Sequence, residues 1–168
     1  MFISKKNILG NPSKGFKQFL KTLTGGRITI GALGLGTAQG AFARALEYSQ
    51  EREAFGKSIN KFQGISFKLS DMATQIEAAR HLVYYAAWKN DQGLPVIREA
   101  AMAKLFSSEV AMQVTTEAIQ VLGGYGYIKE YDVERFFRDA KILEIGEGTS
   151  EIQRMIIARD LIQSIQIV

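Results

Sequence analysis

The sequence holds no cysteine, two prolines, one histidine and one tryptophan in 168 residues. Without cysteine there is no disulfide and no thiolate metal site, and the compartment stays open. The lone histidine, His81, lies in a helical pattern, where a packing or surface role is expected. With no second His or Cys beside it, a transition-metal site is not expected. The prolines, Pro12 and Pro95, leave most of the chain free to run in long helices. Period-two alternation is also missing, so strands are not expected. Acidic residues are absent before Glu47, a stretch that carries Lys5, Lys6, Lys14, Lys17, Lys21, Arg27 and Arg44. Transit peptides are acid-poor in this way. The glycines there, and an apolar run over 28–42 that flows into a continuing helix, favour a folded domain instead. That run is shorter than the ~20 apolar residues of a membrane span, and it contains Thr29, Thr37 and Gln39. No transmembrane segment is expected.

What is present suits one globular domain: 46% hydrophobic residues and a net charge of +4. That mild positive charge suits an anionic small molecule. No RNP, zinc-finger or basic-aromatic cluster is found, so nucleic acid is not the expected partner.

Residues 1–11 read as a short extended segment, and Asn11-Pro12-Ser13 as a turn and cap. Phe16, Phe19, Leu20 and Leu23 then recur at helical spacing opposite Lys14, Lys17 and Lys21. The pattern suits a membrane-surface helix, but a helix end docked on its own core is the preferred reading. Gly25-Gly26 interrupts it, and a long helix is placed over about 27–52. Ile28, Leu35, Phe42 and Ala45 mark one side of that helix. Its Gly31, Gly34, Gly36 and Gly40 each cost roughly 1 kcal/mol against alanine. They point to a close helix approach or an adjacent ligand. A second helix, about 61–91, carries Phe62, Ile65, Leu69, Met72, Ile76, Ala79, Val83 and Ala86 at alternating spacings of three and four. A third follows Pro95, with Ala103, Phe106, Val110, Val114, Ala118 and Val121 as its stripe, and ends at Gly123-Gly124. A short helix is placed at 132–139 and a last one over about 151–165. Ser150 and Gln153 fit a capping box for the last helix. The pattern is an all-α, antiparallel up-and-down four-helix bundle with extra short helices, spanning 12–168.

Taken singly, the candidate functional residues have ordinary explanations. Arg52 offers a planar fork for phosphate and Phe55 a ring for stacking, yet both sit at a helix end. Gly123-Gly124 permits close backbone approach but also reads as a helix cap. Thr149-Ser150-Glu151 opens a helix whose free N–H groups attract oxygen, with capping the default. Glu147 lies between two glycines in Glu-Ile-Gly-Glu-Gly-Thr-Ser-Glu, 144–151. That is a turn, or a catalytic base with close backbone approach on both sides.

The combination is far more specific. Arg-Glu-Ala-Phe-Gly-Lys-Ser-Ile at 52–59 is followed by Phe62-Gln63 and Gln-Val-Leu-Gly-Gly-Tyr-Gly at 120–126. Then come Val-Glu-Arg at 133–135, Arg-Asp-Ala-Lys-Ile at 138–142, and Glu-Gly-Thr-Ser-Glu-Ile-Gln-Arg at 147–154. This series resembles the C-terminal domain of the acyl-CoA dehydrogenases over about 8–161, with a short-chain, butyryl-CoA dehydrogenase-like character. The resemblance implies a flavoprotein of fatty acid β-oxidation that converts acyl-CoA to trans-2-enoyl-CoA. In that scheme Glu147 removes the α-proton while the β-hydrogen passes as hydride to FAD. Carboxylates shielded from water become stronger bases. The thioester oxygen is held by the backbone N–H of Glu147 and a flavin hydroxyl.

By the same resemblance, Arg52, Phe55 and Gln63 contact the FAD of a neighbouring subunit. Gln120, Val121, Leu122, Gly123 and Gly124 lie along it across the dimer, and Thr149 and Glu151 contact FAD after the base. Arg27 and Gly148 fall at the acyl-CoA site, whereas Arg135, Arg138 and Asp139 are structural ion-pair residues nearer core than catalysis. The partners implied are acyl-CoA, electron-transfer flavoprotein as acceptor, and further copies in a dimer or tetramer. The compartment implied is a bacterial cytoplasm, or the mitochondrial matrix in a eukaryote.

Some family members carry the base at the position of Gly26, which has no side chain here. Many have Tyr where this chain has Gly146, and Asp where it has Thr24. The family's N-terminal helical and middle β-domains are not found in these residues, so the chain alone is expected not to catalyse. The competing reading is a non-catalytic oligomerisation bundle.

Overall fold

In a computed structural model, which describes residues 3–165, six α-helices account for most of the chain. Met1 and Phe2 of the expected extended start, and the last three residues of the expected bundle, lie outside the described part. The helices are α1 (Gly15–Glu51), α2 (Gln63–Asp91), α3 (Ile97–Leu122), α4 (Gly124–Tyr127), α5 (Val133–Ile145) and α6 (Ser150–Ile165). Among the described residues, no helix is long and apolar enough to cross a membrane.

Helix α1 has 37 residues and is about 55 Å long at 1.5 Å per residue. It runs straight through Gly25-Gly26, where the sequence suggested a break. A glycine costs a helix roughly 1 kcal/mol but keeps its N–H in the ladder, so without proline it does not stop one. The start of α1 is not docked on the core. Phe16, Phe19 and Leu20 are 76%, 59% and 43% exposed. Nor is the lead-in simply extended, because Lys5–Asn7 forms a 3-10 turn.

Beyond α1 a two-residue hairpin forms, β1 (Glu53–Ala54) against β2 (Lys57–Ser58), with Glu53 opposite Ser58. The sequence carried no strand signal there. The hairpin is set by its turn, since Phe55 and Gly56 both adopt positive φ, 53° and 79°, as a tight hairpin loop requires. A 3-10 turn at Ile59–Lys61 leads into α2, which therefore starts two residues later than expected. Gly93, at φ 66°, closes α2.

Helix α3 is the axis of the bundle and packs against α1, α2, α5 and α6. The periodic residues of α2 face inward: Leu69, Met72, Ile76, Ala79, Val83 and Ala86 are all buried. Met72 alone, 2% exposed, contributes about 1.5–3 kcal/mol by leaving water. On α1 the glycines act as a close-approach surface. A Cβ at Gly31 would stand 3.3 Å from the Ala103 carbonyl oxygen, and one at Gly34 would stand 2.9 Å from that of Ser107. The two helices thus meet backbone to backbone at 31/103 and 34/107. Gly36 faces open space and has no such role.

The short helix expected at 132–139 continues to Ile145. Arg135, Arg138 and Asp139 lie on the surface rather than near the core. Arg135 pairs with Asp132 at 3.0 Å, and Arg138 lies 3.5 Å from Glu134 and 3.8 Å from Asp139, with Arg138 and Asp139 both 64% exposed. The α5 stripe buries Ala140 and Leu143 instead. His81 is on the surface, 3.5 Å from Glu77.

Candidate active site

The link between α5 and α6 holds Glu147 over Gly26, in the N-terminal third of α1. Gly146 ends α5, its N–H donating to the Ile142 carbonyl at 2.8 Å. Glu147 follows at φ 57° and Gly148 at φ 96°. A left-handed residue with a Cβ costs roughly 1–2 kcal/mol, so the turn needs support. Two buried side chains provide it. Gln153 Nε2 donates to the carbonyls of Gly148 at 2.8 Å and Glu147 at 3.3 Å, and Lys104 Nζ donates to the Gly148 carbonyl at 2.8 Å.

The result is close apposition of Glu147 and Gly26. A Cβ at Gly26 would stand 2.5 Å from Glu147 Oε2. Only glycine leaves this carboxylate its place. Arg27, the next residue, is 7% exposed and its Nε has no partner. Burial draws its guanidinium below the ordinary arginine value, nearby Glu147 partly offsets that, and Arg159 adds to the lowering. Glu147 itself is exposed. The dry pocket expected around the base is not built by the described residues.

The cap of α6 falls one residue earlier than the sequence suggested. With Gly148 left-handed, Thr149 becomes the last residue before the helix, and its Oγ1 accepts from Ile152 N–H at 3.4 Å. Ser150 lies inside the first turn, its hydroxyl buried without a partner. Gln153 reaches the turn carbonyls rather than closing a capping box. Glu151 is held below the ordinary carboxylate value by its own backbone N–H and by the Thr149 hydroxyl.

A second group of expected site residues gathers at the far end of α1. A cavity of about 570 Å³ is lined by Arg52, Tyr48, Ile59, Tyr125, Ile128 and the stretch 121–124. Val121, Leu122, Gly123 and Gly124 thus meet Arg52 in one place. Gln120, Phe55 and Gln63 do not line the cavity; Phe55 is in the hairpin turn and Gln63 opens α2. The run after Gly123 is a single turn of helix, not an open loop, with Gly123 at φ 61°. Nothing stands within 4 Å of where a Cβ would be at Gly123 or Gly124, so their backbone is open to a ligand. Phe55 is 97% exposed and meets Phe62 edge-on at 6.1 Å between centroids. This cavity is not at Glu147. Between Arg27 and Arg52 run about 25 residues of helix, or roughly 37 Å.

Sequence reasoning did not single out Lys104. Its signal was a charged residue embedded in Ala-Ala-Met-Ala-Lys-Leu-Phe, 100–106, one place beyond the expected stripe. The aromatic group Tyr48, Tyr125 and Tyr131, with centroids 5.3–6.3 Å apart, was also unmarked as a group, because Tyr48 is far from the other two in sequence.

Comparison with known proteins places this arrangement in a family. A family profile described as "Acyl-CoA dehydrogenase, C-terminal domain" matches residues 13–162. "Probable acyl-CoA dehydrogenase YngJ" of Bacillus subtilis is 58% identical over 157 residues, covering 94% of this chain and 41% of its own length. The structure of butyryl-CoA dehydrogenase from Megasphaera elsdenii superposes with a TM-score of 0.94 at 54% identity, over 95% of this chain and 42% of that one. A chain in a structure described as an electron transferring flavoprotein of Acidaminococcus fermentans gives a TM-score of 0.94 at 53% identity, again over 95% and 42%. This chain spans about two fifths of the relatives it matches. It belongs to the acyl-CoA dehydrogenase family and corresponds to the C-terminal domain.

Proposed function

We propose that this chain supplies the catalytic base and part of the FAD-binding surface of an acyl-CoA dehydrogenase acting in fatty acid β-oxidation. The reaction takes an acyl-CoA to its trans-2-enoyl-CoA. One observation carries the reading: a supported left-handed turn holds the Glu147 backbone so that its carboxylate lies over Gly26, where the helix has no side chain to exclude it. Residues 12–168 act as one helical unit, with 1–11 as its lead-in.

In this reading Glu147 removes the α-proton, and its backbone N–H holds the thioester oxygen. Gly148 faces the substrate, and Arg27 keeps positive charge beside the base. The far cavity fits FAD in chemistry, with an arginine fork for phosphate, open glycine backbone and an exposed aromatic ring. Arg52, Phe55, Gln63, Gln120, Val121, Leu122, Gly123 and Gly124 would hold it there, and Thr149 and Glu151 would do so near the base. When bound, FAD accepts the β-hydrogen as hydride. The roughly 37 Å between the two groups favours their serving different flavins, and so a homo-oligomer, dimer or tetramer, in which each active site draws on two chains. Similarity to a chain described with an electron transferring flavoprotein supports that class of acceptor. The compartment we assign is a bacterial cytoplasm, or the mitochondrial matrix in a eukaryote.

Because Glu147 is exposed in this chain, the chain alone is expected not to turn over. Glu147→Gln in a flavin-loaded enzyme carrying this domain should retain the flavin spectrum and lose turnover of butyryl-CoA. Undiminished turnover would refute the base assignment. A purely assembling bundle is the second reading, favoured by exposed Tyr84, Tyr85 and Trp88 on α2. It predicts no flavin absorbance under any reconstitution.

A further inference from the structure

Lys104 is fully buried, the largest such side chain among the described residues. Its Nζ donates to the Gly148 carbonyl at 2.8 Å. Among the described residues no carboxylate lies within ion-pair distance of it; Glu144, Glu109 and Glu151 act on it only from farther away, and Arg27 repels it. A buried ammonium without a close counter-ion is costly. A methionine would fill the same space without that cost. The charge is therefore placed for something other than packing.

Its single acceptor shows what that is. The Gly148 carbonyl also takes the Gln153 amide at 2.8 Å, and the same amide reaches the Glu147 carbonyl at 3.3 Å. Gln153 is also fully buried. Two carbonyls in succession are thus held from the core side, which fixes ψ at both Glu147 and Gly148. These residues carry φ of 57° and 96°. Without the clamp, Glu147 is free to relax toward the ordinary backbone regions, and its carboxylate would leave Gly26.

We infer that Lys104 is a positioning residue for the reaction: with Gln153 it clamps the Gly148 carbonyl and so holds Glu147 in the turn that aims its carboxylate at Gly26. The inference rests on the reading of Glu147 as base. Supporting residues of this kind act because small misplacements of a reacting group cost large factors in rate. It also gives Gly31 a role, since the close approach of α1 at Ala103 brings the Lys104 segment of α3 up against the helix that carries Gly26.

The test uses Lys104→Met, which keeps the bulk and removes the donor. In the purified 168-residue chain, amide hydrogen exchange at Gly146, Ile152 and Gln153, whose N–H groups are hydrogen-bonded on either side of the turn, should speed up at least tenfold, while the thermal midpoint holds or rises. In the flavin-loaded enzyme carrying this domain, kcat should fall at least tenfold with KM within about twofold, following the general size of positioning effects. A merely structural lysine predicts the opposite: a lower midpoint, with exchange raised throughout. Unchanged exchange and kcat in Lys104→Met, beside an inactive Glu147→Gln, would overturn the inference and leave the base assignment standing. A fully active Glu147→Gln would overturn the base assignment and the catalytic part of this inference with it. If Lys104→Met does not fold, Gln153→Leu tests the same clamp, and unchanged exchange at Gly146, Ile152 and residue 153 in that variant overturns it.

Discussion

Replacing Gly26 by alanine should separate stability from activity. The new Cβ would lie 2.5 Å from Glu147 Oε2, 3.0 Å from Cδ and 3.4 Å from Oε1. Real Cβ contacts do not fall below 3.0 Å, so the nearest oxygen has to retreat by about 0.5 Å. The atom that moves is the end of a flexible, exposed side chain, so moving it costs the fold little. Alanine meanwhile gains about 1 kcal/mol of helix propensity, which for a chain of this size raises the thermal midpoint by about 2–4 °C. The rate should respond in the other direction. A misplacement of 1 Å can cost about a hundredfold, so half of that costs about tenfold, or roughly 1.4 kcal/mol in the barrier. Gly36→Ala is the control, because a Cβ there meets nothing within 4 Å; it should give the same stabilisation with no change in rate. Thermal unfolding by circular dichroism reads the first effect. Turnover of saturating butyryl-CoA by the flavin-loaded enzyme reads the second. Undiminished turnover in Gly26→Ala would refute the placement of the carboxylate, and a lower midpoint would refute the claim that only the carboxylate yields.

Gly34→Ala should behave differently from both, because its Cβ would meet the Ser107 carbonyl oxygen at 2.9 Å and carbon at 3.0 Å. Backbone cannot step aside, so an overpacking cost of about 1–3 kcal/mol cancels or outweighs the propensity gain of about 1 kcal/mol, and urea unfolding should show no gain and a net loss of up to about 2 kcal/mol. Phe55→Asn should stabilise the hairpin by about 1 kcal/mol, since asparagine tolerates left-handed backbone far better, while flavin retention measured by absorbance should weaken. Burial pushes Glu99 upward, but its bond to Lys89 at 2.8 Å, its own backbone N–H and Arg98 outweigh that and hold it below the ordinary value. Its contribution is therefore present above the unfolded value of 4.5 and disappears as pH falls through the lower folded value. Glu99→Gln should lose about 1–2 kcal/mol at neutral pH and show a flatter acid limb in urea unfolding between pH 6 and about 3.

The bundle was legible because burial repeats with the period of a helix. Leu69, Met72, Ile76, Ala79, Val83 and Ala86 announced the inner face of α2 in one dimension, as Val110, Val114, Ala118 and Val121 did for α3. What depends on a neighbour was not legible. Gly25-Gly26 reads as a break until Glu147 is placed across from it. Ser150 reads as the cap until the left-handed turn at Gly148 hands that role to Thr149. Lys104 did not stand out, because sequence shows the kind of side chain and not the carbonyl it meets. Phe16, Phe19 and Leu20 show the reverse case: their spacing promises an interior face, yet they remain exposed. The candidate base and the Arg52 group were found by resemblance of ordered motifs. Their separation was implicit in a helix placed over 27–52; that Glu147 meets that helix at Gly26 while 121–124 meets Arg52 came only from the fold.

Because Gly26 and Arg27 stand on α1 and Arg52 caps its C-terminal end, α1 works as both a ruler and a protractor. Deleting a single residue between Arg27 and Arg52 would shorten their separation by about 1.5 Å and turn one group about 100° relative to the other. No side-chain adjustment recovers a rotation of that size. Changes in chain length are therefore tolerable in the links around 92–96 and 129–132, and not within α1 between those positions or in the hairpin that carries Phe55. Divergence in this domain is then constrained to proceed by substitution along α1 and by insertion or deletion at its corners.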